Sequence, residues 1–210
     1  MAQLLYIKAS PRARRSHSLA VADAFVAAYR DSHPDDEIVI LDLFTADIPS
    51  IDGFAVEAKY KVLHHAPQTE QERDAWKRIV EVIADFKSAN KYAIAVPMWN
   101  FSIPYQLKHY IDVIVQPGLT FKYSPEEGYE GLVRDKSVFI AYARGGEYLP
   151  GTPGEEFDYQ RRYFETVLEF IGFTDIRSVA VEPTLDHGPV VAHAREEVAI
   201  ERARKMALGF

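Results

Sequence analysis

The sequence contains no cysteine among its 210 residues. That excludes disulfides, thiolate nucleophiles, dithiol redox chemistry and cysteine-ligated zinc. Any redox role must then be carried by a bound cofactor. Long apolar runs are missing too, and no stretch approaches the ~20 residues of a membrane span. The opening run, MAQLLYIKAS, is short and is interrupted by Lys8, which does not fit a signal peptide. Positive charge is outnumbered, with 24 Lys and Arg against 31 Asp and Glu. The formal net charge is −7, which argues against nucleic acid as a partner. The cytoplasm is the expected compartment, and the sequon Asn100-Phe101-Ser102 has no glycosylating context there. Also missing are G-x-G-x-x-G, G-x-x-x-x-G-K-[ST] and G-x-S-x-G. Their absence excludes a dinucleotide fingerprint, a P-loop and a hydrolase nucleophile elbow.

What is present is alternation. The length suits one domain over 1–210, able to bury roughly 70% of its unfolded surface. Apolar, β-rich runs recur at Leu4–Ala9, Glu37–Leu43, Lys91–Val96, Ser137–Ala143 and Ile176–Glu182. Most are continuous rather than alternating, as in parallel strands covered on both faces. Helical spacing predicts helices between them: Ser18 to Tyr29, a segment opened by the capping-box pair Thr69 and Glu72, Pro104 to Ile114, Glu155 to Ile171 with Gly172 as its cap, and Val190 to Leu208. In the last, Val191, Ala194, Val198, Arg202 and Lys205 mark the mixed face. Such alternation predicts an α/β open doubly wound sheet. Two segments resist it. Residues 44–67 show little periodicity, and residues 120–135 are rich in Tyr, Glu and Gly. Long ordered loops of this kind are often functional.

In open parallel sheets, ligands bind beyond the carboxyl ends of the strands where the strand order reverses. In the order 2-1-3-4-5 that point lies between the first and third strands. Three loops leave the carboxyl ends there. ASPRARRSHSLA brings Ser10, Ser16 and Ser18 into a helix start, where hydroxyls, free N–H groups and the dipole suit one phosphate. Helix capping by Ser16 or Ser18 is the alternative use. Arg12, Arg14 and Arg15 either reach the same anion or are solvated. PMWNFSIP places aromatic surface and one amide between Pro97 and Pro104, fitting a planar heterocycle or a lid on the core. AYARGGEY puts Gly145 and Gly146 directly after the fourth strand, for close backbone approach or a plain turn. Together the three loops surround one crevice, with a phosphate at the first and a flat ring against the others. That combination is FMN.

The histidines give no metal site. His64-His65 is an adjacent pair, His109 lies on a helix, His187 precedes a Gly-Pro turn, and His33 and His193 read as solvated. The acidic pairs Glu126-Glu127 and Glu155-Glu156 sit in loop or helix-start positions. No catalytic acid or nucleophile is assigned.

On these elements the chain resembles the FMN-dependent NADH:quinone oxidoreductases and NADH azoreductases of flavodoxin-like fold. The matching stretches are Ser10-Pro-Arg with Ser16-His17-Ser18, PMWNFSIPYQLKHYID, GLTFKY with GYEGL, ARGGEY and YFETVLEFIGF. The resemblance implies a five-stranded parallel sheet of order 2-1-3-4-5 with helices on both faces. It implies that Ser10, Ser16, His17 and Ser18 bind the phosphate and ribityl end. Pro97, Met98, Trp99, Asn100 and Phe101 would run along the isoalloxazine, and Ala143, Arg144, Gly145 and Gly146 would approach it from the other side. Phe121 is expected on the substrate side. A homodimer is implied, each site completed by the partner chain, with NADH or NADPH as donor and a quinone or azo compound as acceptor. Departures fall at Trp99, where the family often has Tyr, at Ser102, where Asn is common, and at Ala143, where Ser or Thr is common. The alternative to the enzyme is a flavodoxin-like electron carrier without its own NADH-dependent turnover.

Overall fold

A computed structural model describes residues 1–210. The central sheet contains β1 (Gln3–Lys8), β2 (Glu37–Asp42), β3 (Lys91–Pro97), β6 (Ser137–Ala143) and β7 (Asp175–Val181), in the order β2-β1-β3-β6-β7. Every pairing is parallel. Counting only these strands, the order is the expected 2-1-3-4-5, and the reversal lies between β1 and β3. Ile7 faces Leu41 on one side and Ile94 on the other, which sets the register.

The continuous apolar runs have a direct cause. Alternate residues enter two separate cores. Leu5, Ile7, Ile94, Val96, Ile140 and Tyr142 pack under α3 (Glu70–Ser88), α4 (Tyr105–Ile114) and α5 (Tyr159–Ile171). Leu4, Tyr6, Ala93, Ala95, Phe139 and Ala141 pack under α1 (His17–Ser32) and α6 (Gly188–Leu208). On that second face Phe25 stacks on Phe139 at 3.9 Å between ring centroids.

The helix ends follow local chemistry. Thr69 and Glu72 close both bonds of the expected capping box: Glu72 N–H donates to Thr69 Oγ1 at 3.3 Å, and Thr69 N–H donates to Glu72 Oε2 at 2.7 Å. Pro104 stands just before the first helical residue of α4. The helix expected from Glu155 is split. A 3₁₀ turn at Glu155–Phe157 comes first, and α5 starts afresh at Tyr159, where Asp158 accepts the Arg161 N–H at 2.9 Å. Gly172 ends α5 in the left-handed region at φ 118°, a conformation that favours glycine.

Three expectations change. Residues 44–67 contain a helix, α2 (Gly53–Leu63), capped by Asp52, whose Oδ1 accepts the Ala55 N–H at 2.9 Å. It escaped the periodicity because its buried residues are only Ala55 and Ala58, while Phe54, Val56, Tyr60, Val62 and Leu63 face outwards. Residues 120–135 contain an antiparallel hairpin, β4 (Phe121–Ser124) and β5 (Gly128–Gly131). Helix α6 buries Ala192, Ala199, Ala203 and Ala207. An alanine stripe, not Val191, Ala194 and Val198, is the face that seats it close to α1. No helix is long and apolar enough to cross a membrane.

Candidate active site

At the carboxyl ends of β1, β3, β6 and β7 the chain forms a narrow cleft of about 110 Å³. Its walls are Arg12, Ser16, His17, Pro97, Met98, Trp99, Ala143, Gly145, Thr184 and Leu185. Seven of these were expected from the sequence: Ser16, His17, Pro97, Met98, Trp99, Ala143 and Gly145. Arg12 was left between anion contact and solvation, and the structure puts it in the wall. Thr184 and Leu185 were missed. They follow β7, a loop read only for His187, which proves to be the residue before α6.

The first wall is the serine loop. Ser16 caps α1, its Oγ accepting the Leu19 N–H at 3.4 Å and lying 3.2 Å from Ser18 Oγ. The N–H groups of His17 and Ser18 are then first-turn donors with no carbonyl in the helix to receive them. Ser10 and Ser18 lie buried behind the cleft wall, and Ser10 Oγ accepts from Arg12 N–H at 3.5 Å. His17 Nδ1 meets Glu196 Oε2 at 2.5 Å, which ties the loop to α6. Hydroxyls, open N–H groups, a guanidinium and a helix start together form a donor set suited to a phosphate.

The second wall explains the aromatic loop. Trp99 and Ser102 exchange both backbone hydrogen bonds, at 2.8 and 3.0 Å, so the chain reverses in four residues. Asn100 and Phe101 sit at the turn with φ 48° and 69°. A primed turn demands positive φ at both central positions, and for a Phe that is an uncommon conformation. The ring of Phe101 packs on Phe157 at 5.5 Å, although it remains half exposed. Neither Asn100 nor Phe101 lines the enclosed cleft; Asn100 lines a separate surface hollow with Trp99, Ser102 and Tyr105. Trp99 joins Phe44 at 5.9 Å and Tyr105 at 6.1 Å, and Phe44 and Tyr105 lie 6.0 Å apart. The first residue of the 44–67 segment therefore buttresses Trp99.

The third wall is built from Ala143 to Gly146. Ala143 O accepts the Met98 N–H at 2.8 Å, which locks the second wall to the third. Gly145 O accepts from Leu185 N–H at 3.0 Å and Thr184 N–H at 3.1 Å. A Cβ added to Gly145 would come to 3.0 Å from Leu185 Cδ1, so a side chain here would push the Leu185 methyl aside. Gly146 is not part of the enclosed wall and faces Asp186 and Tyr148.

Two of the expected residues hold their side chains away from this chain's own cleft. The Arg144 side chain does not face the cleft. It is buried, with Nε donating to Gln160 Oε1 at 2.9 Å, Nη2 at 3.1 Å from Asp158 Oδ2, and Nη1 at 3.5 Å from Glu182 Oε2. A guanidinium this buried requires carboxylate partners, and these lie behind the loop. Arg144 is a positioning residue, its carbonyl accepting from Thr184 N–H and Oγ1 at 2.9 Å each. Phe121 is also displaced. It packs on Phe170 at 4.8 Å in a hairpin whose Gly131 abuts Gly172 at the end of α5. That end lies beside the amino ends of the strands, across the molecule from the same chain's cleft.

A family model described as flavodoxin-like fold matches residues 2–206. The FMN-dependent NADH:quinone oxidoreductase of Nitratidesulfovibrio vulgaris is 54% identical over 210 residues, covering 100% of both chains. The chain belongs to this flavodoxin-like family of FMN-dependent NADH:quinone oxidoreductases. Among solved structures, an azoreductase from Bacillus anthracis superposes with TM-score 0.91 at 32% identity, covering 100% of each chain. An FMN-dependent NADH-azoreductase from the same species, in complex with FMN, gives TM-score 0.84 at 29% identity, covering 99% of this chain and 100% of that one.

Proposed function

We propose that this chain is an FMN-dependent NADH:quinone oxidoreductase that also reduces azo compounds, by two-electron ping-pong turnover. The observation that carries the proposal is the convergence of a phosphate-type donor set and two flat walls at the point where the strand order reverses. The 54% identity to a quinone oxidoreductase supports the substrate class, and the likeness to azoreductases supports the azo activity. When bound, FMN supplies hydride transfer between the nicotinamide and the acceptor. The protein supplies placement and charge. Ser16, His17 and the first-turn N–H groups, that of Ser18 among them, would hold the phosphate, with Arg12 beside them and the Ser10 and Ser18 hydroxyls supporting the loop from behind. Pro97, Met98, Trp99, Asn100 and Phe101 form one side of the ring's seat; Ala143, Gly145 and Gly146 form the other. Backbone N–H groups at Asn100 and Gly145–Gly146 would offer donors to the polar edge of a bound flavin. NADH as donor makes the cytoplasm the proposed compartment.

The working form is proposed to be a homodimer. The enclosed volume of about 110 Å³ falls well short of the roughly 300–1,000 Å³ of a complete ligand pocket. One chain thus offers a half-site. A separate apolar groove of about 630 Å³, walled by α2, α3, α4 and α5, includes Val56, Tyr60, Trp76 and Phe170. With exposed Phe54 on α2, and exposed Tyr129 5.6 Å from Phe170 with Tyr123 beside it, it gives an apolar surface of the kind that pairs with another chain. A partner is also what would bring a Phe121 to the cleft. Steady-state rates with NADH and a quinone should give parallel double-reciprocal lines, and sedimentation should give the mass of two chains. Intersecting lines, or a monomer with full turnover, would refute the respective parts.

Phe44→Ala removes the buttress of Trp99. The expected result is retained FMN with the ratio of kcat/KM for a quinone over an azo dye altered roughly 10-fold, the scale of one side chain's contribution to substrate discrimination. An unchanged ratio would show that the aromatic cluster only packs.

A further inference from the structure

Glu196 has the wrong charge for its place. It stands on α6, 179 residues away in the chain, yet its Oε2 lies 2.5 Å from Nδ1 of His17, in the loop that offers donors to a phosphate. A carboxylate beside a phosphate seat repels the anion, unless a cation stands between them. The residue between them is an imidazole: His17 lines the cleft, and Glu196 does not. Both side chains are partly buried, at 27% and 19% exposed, so the pair is screened less than a surface contact.

The two ring nitrogens of His17 have different surroundings. An ionised carboxylate only accepts, so Nδ1 carries a hydrogen and donates it to Glu196. In the neutral ring that leaves a lone pair on Nε2, and the ring's one hydrogen-bond partner in the chain is Glu196. Such a lone pair would meet phosphate oxygens lone pair to lone pair. A second proton makes Nε2 a donor and the ring a cation. The charges around the ring are few. Arg12 shares the cleft wall, and α1 begins at His17, so its positive end falls there; both oppose a cation while no anion is bound. Glu196 favours one. Arg14 and Arg15 are exposed, and the walls after β3, β6 and β7 bring no titratable side chain. Further along α1, Asp23 is engaged by Tyr6 and Lys8, and on α6 His193 pairs with Glu197.

We propose that Glu196 is a positioning residue for the phosphate seat: it fixes the hydrogen on Nδ1 of His17 and leaves Nε2 to donate to the phosphate, so that binding of FMN draws one proton from solvent onto His17. This role rests on the flavin reading of the cleft and adds to it a pH dependence that hydroxyls and backbone N–H groups do not give. No covalent bond changes, and the proton returns to solvent when FMN leaves. The bound state holds the extra proton, so FMN affinity is greatest at low pH and falls as pH rises. A phosphomonoester is already close to a dianion above about pH 7, so a fall above that pH belongs to the protein.

The test titrates apoprotein with FMN by fluorescence quenching, from pH 6 to pH 9 at constant ionic strength. His17→Gln keeps the backbone N–H and a polar side chain but cannot take the proton, so its affinity should level off above pH 7. Dividing the parent's affinity by that of His17→Gln at each pH cancels the titration of FMN itself. The ratio is expected to fall about 10-fold across the range, the scale of one charge-assisted hydrogen bond. Glu196→Gln keeps an oxygen that accepts from Nδ1 but removes the charge, so the same fall should reach its midpoint at lower pH. A tie that merely held α6 to the loop would instead weaken binding by one factor at every pH, and that result overturns the role given to Glu196. Parent affinity that is flat above pH 7 overturns the proton uptake while leaving the flavin reading intact. Lack of FMN binding at any pH removes the flavin reading and this role with it.

Discussion

Arg144→Met is expected to cost roughly 3–5 kcal/mol of stability and to empty the protein of flavin. The guanidinium sits among Asp158, Gln160 and Glu182, and it is 3% exposed. Methionine has a comparable stem but cannot compensate charge, so two buried carboxylates would be left without their partner. In a domain of this size the loss corresponds to about 6–20 °C in Tm, readable by calorimetry. The flavin loss follows from connectivity. Glu182 Oε2 also accepts the Tyr148 N–H at 2.9 Å, and Arg144 O receives two bonds from Thr184. Without the guanidinium, the segment 144–148 and the Thr184–Leu185 wall lose their common anchor. A partial rescue by Glu182→Gln in the same chain would show that the uncompensated charge is the main cost. If the single variant melts like the parent and keeps its FMN, Arg144 is not the anchor of the third wall.

Ser16→Asp separates the two uses of the serine loop. Asp and Ser are equally good N-caps, and a carboxylate at a helix start is favoured by the dipole. The fold should therefore hold its stability or gain slightly. The same carboxylate would face a phosphate dianion. Two unit charges 4 Å apart repel by roughly 1–4 kcal/mol across the range from water to a protein surface, and the phosphate carries nearly two. FMN affinity is expected to fall about 100-fold or more, measured by fluorescence quenching on titrating apoprotein. Retained affinity would mean that Ser16 only caps α1. Ser16→Ala is the control: it should lose about 1 kcal/mol of stability through the cap and far less FMN affinity than the aspartate.

The sheet was legible because two-sided burial leaves an unbroken apolar run, and Leu4, Ala93 and Ser137 mark such runs in a chain with few others. Thr69 with Glu72 and Gly172 were legible because caps are local chemistry. Helix α2 was not, because it buries only Ala55 and Ala58, and its larger apolar side chains point away from the chain's own core. The cleft was legible in its first and second walls, where motif and strand end coincide. Thr184 and Leu185 carry no chemical signature and join the cleft only because β7 ends beside β6. The direction of the Arg144 side chain was not legible because its partners, Asp158 and Glu182, come from α5's start and from beyond β7. Only tertiary structure brings those charges together. The distance of Phe121 from its own chain's cleft was hidden for a related reason: a motif gives proximity in sequence, and the fold puts that hairpin at the opposite end of the sheet.

The central claim is that this one protein takes electrons from NADH through FMN without a protein partner. The direct measurement is anaerobic stopped-flow mixing of FMN-loaded protein with NADH, followed by addition of a quinone. The account predicts that the visible absorbance of the bound flavin bleaches within the time of one turnover and returns when the quinone is added. Bound flavin that stays oxidised in the presence of NADH would contradict it, and would make the chain an electron carrier instead.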